Sequence, residues 1–142
     1  MRSSRLIPLL AAAVASVASL TACGGDDDTA TPSAGDLDGR TFVATDIEGH
    51  TIVEGSEVVI SFADGLVVVE AGCNSQRGDY DVDDGVLAVG ELAMTMMACD
   101  EPLMTQDSLL AGILAAGPTV ELDGEALVLR NDTGTITMNE RS

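Results

Sequence analysis

The fold is decided first by residues 57–70, which read EVVISFADGLVVVE. Val58, Ile60 and Phe62 alternate along the first half, the pattern of a β-strand with one buried face. Asp64-Gly65 then supplies turn residues, because aspartate caps turns and glycine tolerates positive φ. The segment therefore predicts two antiparallel strands joined by a tight hairpin.

The same pattern of short apolar runs separated by turn residues recurs from about residue 36 onward. Further turns are marked by Asp38-Gly39, Asp84-Gly85, Asp123-Gly124 and, as a longer variant, Asp132-Thr133-Gly134. The predicted strands are residues 41–47, 57–62, 66–70, 79–83, 86–89, 119–122, 126–129 and 135–138. Period-two alternation between tight turns favours an antiparallel sheet.

Residues 102–116 break this rhythm and predict a helix. Apolar residues share one helical face at Leu103, Leu110, Ile113 and Leu114. Acidic residues before Pro102 suit a helix start, and Gly117-Pro118 suits a helix end. The predicted fold class is therefore α+β: a mainly antiparallel, strongly curved β-sheet of short strands with one α-helix packed on or inside it.

The composition limits the possible partners. The chain has 142 residues, with six Arg, no Lys and 24 acidic residues, for a net charge of −18. This charge excludes non-specific nucleic-acid binding, which needs clustered cations, and argues against docking on anionic lipid through a basic patch. The hydrophobic content of 46% is sufficient for the core of one domain.

The N-terminus predicts export. Residues 1–22 have the secretory signal pattern, with Arg2 and Arg5 ahead of an apolar stretch that is short for a membrane span. The stretch ends in Leu20-Thr21-Ala22-Cys23, which resembles the bacterial lipobox. That resemblance implies cleavage before Cys23, acylation of its thiol (a palmitate-type anchor) and a mature charge of −20, since only four of the six Arg remain. The alternative is an ordinary cleaved signal with an incidental cysteine.

Residues 23–35 are small, polar and acidic, and predict a flexible tether between the lipid and a domain at 36–142. Asp26–Asp28 are expected to be solvated rather than to bind calcium, since no loop with further ligands surrounds them. The expected location is the cell envelope, with the protein lipid-anchored and facing outward at the cell surface or in the periplasm. The membrane is then one partner, through the lipid.

The remaining cysteines, Cys73 and Cys99, form an even pair in an exported chain. A disulfide between them is one interpretation, because exported proteins reside in oxidising compartments. Two buried free thiols are the alternative, since sequence spacing does not fix the required geometry.

Four methionines near Cys99 raise a second possibility, a soft-metal site. They are Met94, Met96, Met97 and Met104. Thioethers suit Cu(I), although methionine is also a common filler of hydrophobic cores.

Other motifs are weaker. Residues 79–85 resemble the start of an EF-hand loop, but glycine falls at the seventh position and Gly90 occupies the twelfth, where glutamate is required. His50 is the sole histidine, so nucleophilic catalysis lacks an obvious base. We therefore predict no enzymatic activity, no cofactor and no dedicated metal site.

Four segments together resemble the META domain, or HslJ-like, family, over about residues 36–139. They are residues 37–42 (LDGRTF), 71–74 (AGCN), 78–80 (GDY) and 95–99 (TMMAC). Phe42 departs from the family, which usually carries tryptophan there. The resemblance implies an antiparallel sheet with a helix, exported lipoproteins, stress responses in some members and no established enzymatic activity.

The resemblance also implies that the motif residues are structural: Gly72, Asn74, Gly78, Tyr80, Thr95 and Met97. Asn74 and Thr95 are expected to satisfy backbone groups around Cys73 and ahead of the helix. The protein is predicted to be a non-enzymatic envelope protein. Its predicted role is to bind an unknown envelope protein or small ligand, or to act in an envelope stress response. Copper binding through the Met and Cys cluster is the alternative, and a hydrolase using acidic residues is a third hypothesis.

Overall fold

A computed structural model describes residues 30–142. The predicted signal, Cys23 and most of the predicted tether lie outside these residues. The elements in chain order are α1 (Ala34–Leu37), β1 (Thr41–Ile47), β2 (Val59–Ala63), β3 (Leu66–Glu70), β4 (Ser75–Asp83), β5 (Val86–Val89), β6 (Ala93–Met94), α2 (Glu101–Ala115), β7 (Thr119–Asp123), β8 (Ala126–Asn131) and β9 (Gly134–Glu140).

Eight of the nine strands form a closed antiparallel barrel in the order β3-β2-β1-β9-β8-β7-β5-β4. The ring closes because the first half of β4 pairs with β3, with Val67 opposite Gly78. The second half of β4 pairs with β5, with Tyr80 opposite Val89. The two-residue strand β6 pairs with β4 outside the ring.

The predicted fold class is therefore wrong. The protein is mostly β, a closed barrel with little helix, rather than a curved α+β sheet. Closure depends on β4 beginning at Ser75, whereas the sequence indicated a strand only at 79–83. Residues 75–79 read SQRGD and lack apolar alternation, so the half of β4 that closes the ring carries no strand pattern.

The barrel interior is filled with side chains. Phe42, Phe62 and Tyr80 pack edge to face, with ring centroids 6.2 Å apart for the first pair and 4.9 Å for the second. Inward residues from the other strands complete the core, among them Ile60, Val69, Leu87, Leu129 and Ile136. Alternation along each strand thus supplies one buried face, as in other small barrels.

Helical segments cover both ends of the barrel. At one end, α2 contacts three strand connections through Gln106, Asp107 and the carbonyl of Ile113. At the other end, α1 inserts Leu37, which is fully buried. None of the helices between residues 30 and 142 has the length and apolar content needed to cross a bilayer.

Candidate functional site

The family motif residues Gly72–Asn74 and Thr95–Cys99 meet at the barrel end that α2 covers. Cys73 and Cys99 are joined by a disulfide, with their Cα atoms 6.0 Å apart. The bond fastens the connection between β3 and β4 to the segment that leads into α2. The disulfide is therefore a covalent brace between barrel and helix.

Asn74 follows the disulfide-bonded Cys73 and both accepts and donates hydrogen bonds. Its Oδ1 accepts hydrogen bonds from the Met97 N–H at 2.7 Å and the Thr95 hydroxyl at 3.0 Å. Its Nδ2 and its backbone N–H both donate to Oδ2 of Asp107, at 3.0 and 2.8 Å. Asparagine suits the position because its side chain carries an acceptor and a donor at once.

The polar network continues along the buried face of α2. Asp107 is 2% exposed and Gln76 is fully buried, and Nε2 of Gln76 donates to the backbone carbonyl of Asp107 at 3.0 Å. Within the described part of the chain, Oδ1 of Asp107 and Oε1 of Gln76 accept no hydrogen bond. The network thus has more acceptors than donors, and sequence reasoning did not identify either residue.

Glycine is required at two motif positions by close contacts. Gly72 has a φ of +102°, and a Cβ there would lie 2.9 Å from side-chain atoms of Leu103 and Ser56. A Cβ on Gly78 would lie 3.0 Å from the carbonyl oxygen of Glu91. Both glycines therefore let neighbouring segments approach β4 and the disulfide closely.

Tyr80 lies on β4 two residues after Gly78 and contacts α1 rather than α2. Its hydroxyl donates to the carbonyl of Ala34 at 3.2 Å and so attaches α1 to β4. Burial raises the pKa of the Tyr80 phenol, and the nearby carboxylate of Asp38 raises it further. The phenol therefore keeps the proton that it donates.

The four methionines near Cys99 lie on the surface instead of filling the core. Met96 is 94% exposed and Met97 is 59% exposed, and Met94 and Met104 are also exposed. Because the sulfur of Cys99 is bonded to Cys73, a soft metal ion at this surface would be bound by the methionine thioethers.

His50 does not assemble a catalytic group. Its Nε2 lies 3.1 Å from Oε1 of Gln106, which also accepts a hydrogen bond from the Val53 N–H. Between residues 30 and 142, no cluster of three His, Cys, Asp or Glu side chains is arranged to hold a metal ion. Residues 79–85 form the end of β4 and the turn into β5.

Similarity to known proteins agrees with the sequence motifs. Residues 35–142 match the META domain family. The chain is 30% identical over 79 residues to heat shock protein HslJ of Escherichia coli strain K12, which covers 55% of this chain and 56% of that protein. The match thus spans little more than half of that relative. Neither description names a catalytic activity.

Two structures solved by NMR share the fold. One is 25% identical, with a TM-score of 0.66, over 76% of this chain and 94% of the other. The second, from Burkholderia xenovorans, is 19% identical, also with a TM-score of 0.66, over 83% of this chain and 97% of the other. Since the family match covers most of the sequence, the resemblance found in the motifs is confirmed and the chain belongs to the META domain family.

Proposed function

We propose that the chain is an exported lipoprotein, anchored through acylated Cys23, whose barrel is a non-enzymatic binding module in a stress response of the cell envelope. The observation that carries the proposal is the disulfide between Cys73 and Cys99. Structural disulfides persist in oxidising compartments, which agrees with the signal pattern and with Leu20-Thr21-Ala22-Cys23. The similarity to a heat shock protein supports the link to stress.

Two carboxyl groups of the described chain, those of Asp36 and Glu140, differ from the acid of a hydrolase. A hydrolytic acid is normally a carboxyl group whose pKa is raised by its surroundings. The pKa values of the Asp36 and Glu140 carboxyl groups are instead lowered. The causes are hydrogen bonds from Ser33 to Asp36 and from Arg40 to Glu140.

The filled barrel interior supports binding on the outer surface. Phe42 and Phe62 occupy the axis region and are 0% and 1% exposed. A ligand is therefore expected to contact outward-facing side chains or strand edges, where the protein also carries its charge.

Cu(I) binding is a second candidate, favoured by the exposure of the methionines beside the disulfide. The test is a Cu(I) titration of the purified chain and of the Met94→Leu, Met96→Leu double variant. Retention of one equivalent by the parent and its loss in the variant would establish copper binding. No retention by the parent would remove this candidate.

Replacing Cys23 by alanine is expected to move the protein from the membrane to the soluble fraction. The reason is that each buried methylene of an acyl chain contributes about 0.8 kcal/mol to membrane binding, so loss of the anchor removes most of the affinity. The measurement is the membrane-bound fraction after expression in a bacterial host.

The matched control is the Cys73→Ser, Cys99→Ser double variant, which also removes cysteines but keeps Cys23. It should remain in the membrane fraction, measured as a share of the total chain detected. Unchanged membrane association of Cys23→Ala would refute lipidation as the anchor.

A further inference from the structure

The barrel is held together most weakly between β5 and β7. The register joins these strands through one residue pair, Val86 opposite Thr119. Two backbone hydrogen bonds flank this pair, from Leu87 to Pro118 at 2.8 Å and from Val120 to Gly85 at 2.7 Å. Beyond Val120, β7 continues without β5 beside it, because β5 begins at Val86 and the residues before it form the turn from β4.

This stagger leaves a short edge of β7 that no other strand between residues 30 and 142 covers. Backbone N–H and C=O groups of alternate residues in an antiparallel strand point to the same side. The N–H of Val120 points toward β5, so the polar backbone groups of Leu122 point to that side as well. Across residues 30–142, no backbone hydrogen bond reaches Leu122 from that side.

A surface groove of about 840 Å³ lies at this edge. Ala126 and Val128, whose side chains point outward from β8, line the groove together with Pro32. Its rim carries the exposed carboxylates of Asp84, Glu121 and Asp123. Strand groups without a backbone partner among residues 30–142, a small apolar lining and an acidic rim therefore occur together.

We propose that this edge binds an extended basic peptide of a partner protein, which adds to β7 as a further strand. Main-chain pairing with Leu122 would give affinity, and lysine or arginine side chains would contact the rim. The inference deepens the proposed function, because it assigns a partner class to the proposed binding module.

The negative charge at this edge favours a basic peptide over the chain's own tether or a second copy of the chain. The tether that precedes residue 30 contains Asp26–Asp28 and would be repelled by the acidic rim. A second copy of the chain, at −20 after signal removal, would be repelled as well. Arg130 is the nearest cation on β8, and its guanidinium lies 3.8 Å from Glu121 with both side chains more than half exposed. The rim thus keeps its negative potential toward a basic partner.

Acidic residues on a strand edge also serve to prevent aggregation, so the test must separate this role from binding. The protein is the full chain, extracted from membranes in a non-ionic detergent. The probe is a synthetic octapeptide of alternating valine and lysine. The control peptide has the same side chains but is N-methylated at every backbone amide, so it keeps the charge and lacks the N–H donors.

Residue-resolved hydrogen exchange measures pairing at the edge directly. The valine–lysine peptide is expected to slow exchange of the Leu122 amide about tenfold or more, because that N–H gains an acceptor. The Val120 amide, already bonded to Gly85, should change little. The N-methylated peptide should not protect Leu122, because its N-methyl groups keep its carbonyls from approaching the strand edge.

A charge-reversal variant tests the rim. Glu121→Lys with Asp123→Lys alters two exposed side chains and is expected to raise the Kd of the peptide about tenfold or more. Equal binding of the two peptides, no protection of Leu122 or an unchanged Kd in the variant would overturn the proposal. Peptide binding in detergent does not depend on the lipid anchor. A failure of the peptide proposal is therefore distinguishable from a failure of the lipidation proposal, which would show as Cys23→Ala remaining on membranes.

Discussion

Replacing Cys73 and Cys99 together by serine is expected to lower the free energy of unfolding by about 3.5 kcal/mol, from the chain-entropy model of a disulfide. The bond closes a loop of 26 residues, which contains all of β4, β5 and β6 and the segment leading into α2. Cutting it gives the unfolded chain more freedom, and the folded chain also loses its brace at the barrel end. Denaturant unfolding measures the change.

The parent protein under reducing conditions is the matched control, because its sequence is unchanged. Reduced parent and double variant should unfold at nearly the same denaturant concentration, and both should unfold earlier than the oxidised parent. A decrease in the free energy of unfolding of less than about 1 kcal/mol would contradict the structural importance of the bond. Disulfides typically contribute about 2–4 kcal/mol. Two reactive thiols in the unfolded, unreduced parent would contradict its formation.

Replacing Asp107 by alanine is expected to lower the free energy of unfolding by about 2–4 kcal/mol, because two buried donors lose their acceptor. Those donors are the backbone N–H and Nδ2 of Asn74, which both bond to Oδ2 of Asp107. Asn74 in turn positions Met97 and Thr95 beside the disulfide. The loss should therefore also increase hydrogen exchange of the Met97 amide.

Asp107→Asn is the informative control. The amide oxygen can still accept both hydrogen bonds from Asn74, and the amide nitrogen replaces Oδ1, which accepts none within residues 30–142. We therefore expect Asp107→Asn to lose less stability than Asp107→Ala, because it keeps both hydrogen bonds from Asn74 and its only cost is a buried amide nitrogen. Equal losses in the two variants would show that the hydrogen bonds to Asn74 are not what makes Asp107 important.

Much of the strand pattern could be predicted from the sequence, because alternation and turn residues are local signals. β1, β3 and β5 have the predicted limits. Barrel closure could not be predicted, because it depends on pairing between distant residues such as Phe42 and Glu140. It also depends on Ser75–Asp79, where polar residues and glycine pair with β3 through their backbone alone.

The motif residues at the candidate site could be named from the family resemblance, but the buried polar partners could not. Gln106 and Asp107 lie on α2 three to four residues from Leu103 and Leu110, on the helix face identified by its leucines. That spacing was the available signal: polar residues within an apolar helical stripe are buried and need partners. Their hydrogen-bond partners lie in the connections between strands, and only the fold of the whole chain places these connections beside α2.

The edge of β7 beyond Val120 also required the structure. The sequence marked residues 119–122 as a strand but carried no information on how far β5 extends beside it. The offset between the two strands is set by barrel stagger, which arises from all eight strands together. The edge at Leu122 is therefore a property of the closed ring and not of the local sequence.

Intact-mass spectrometry of the protein extracted from membranes shows whether this barrel is an exported, lipid-anchored module. We expect a chain of residues 23–142 with acyl groups on Cys23 and with Cys73 and Cys99 bridged. A membrane-extracted chain that retains residues 1–22, or that begins at an unmodified Cys23, would contradict it.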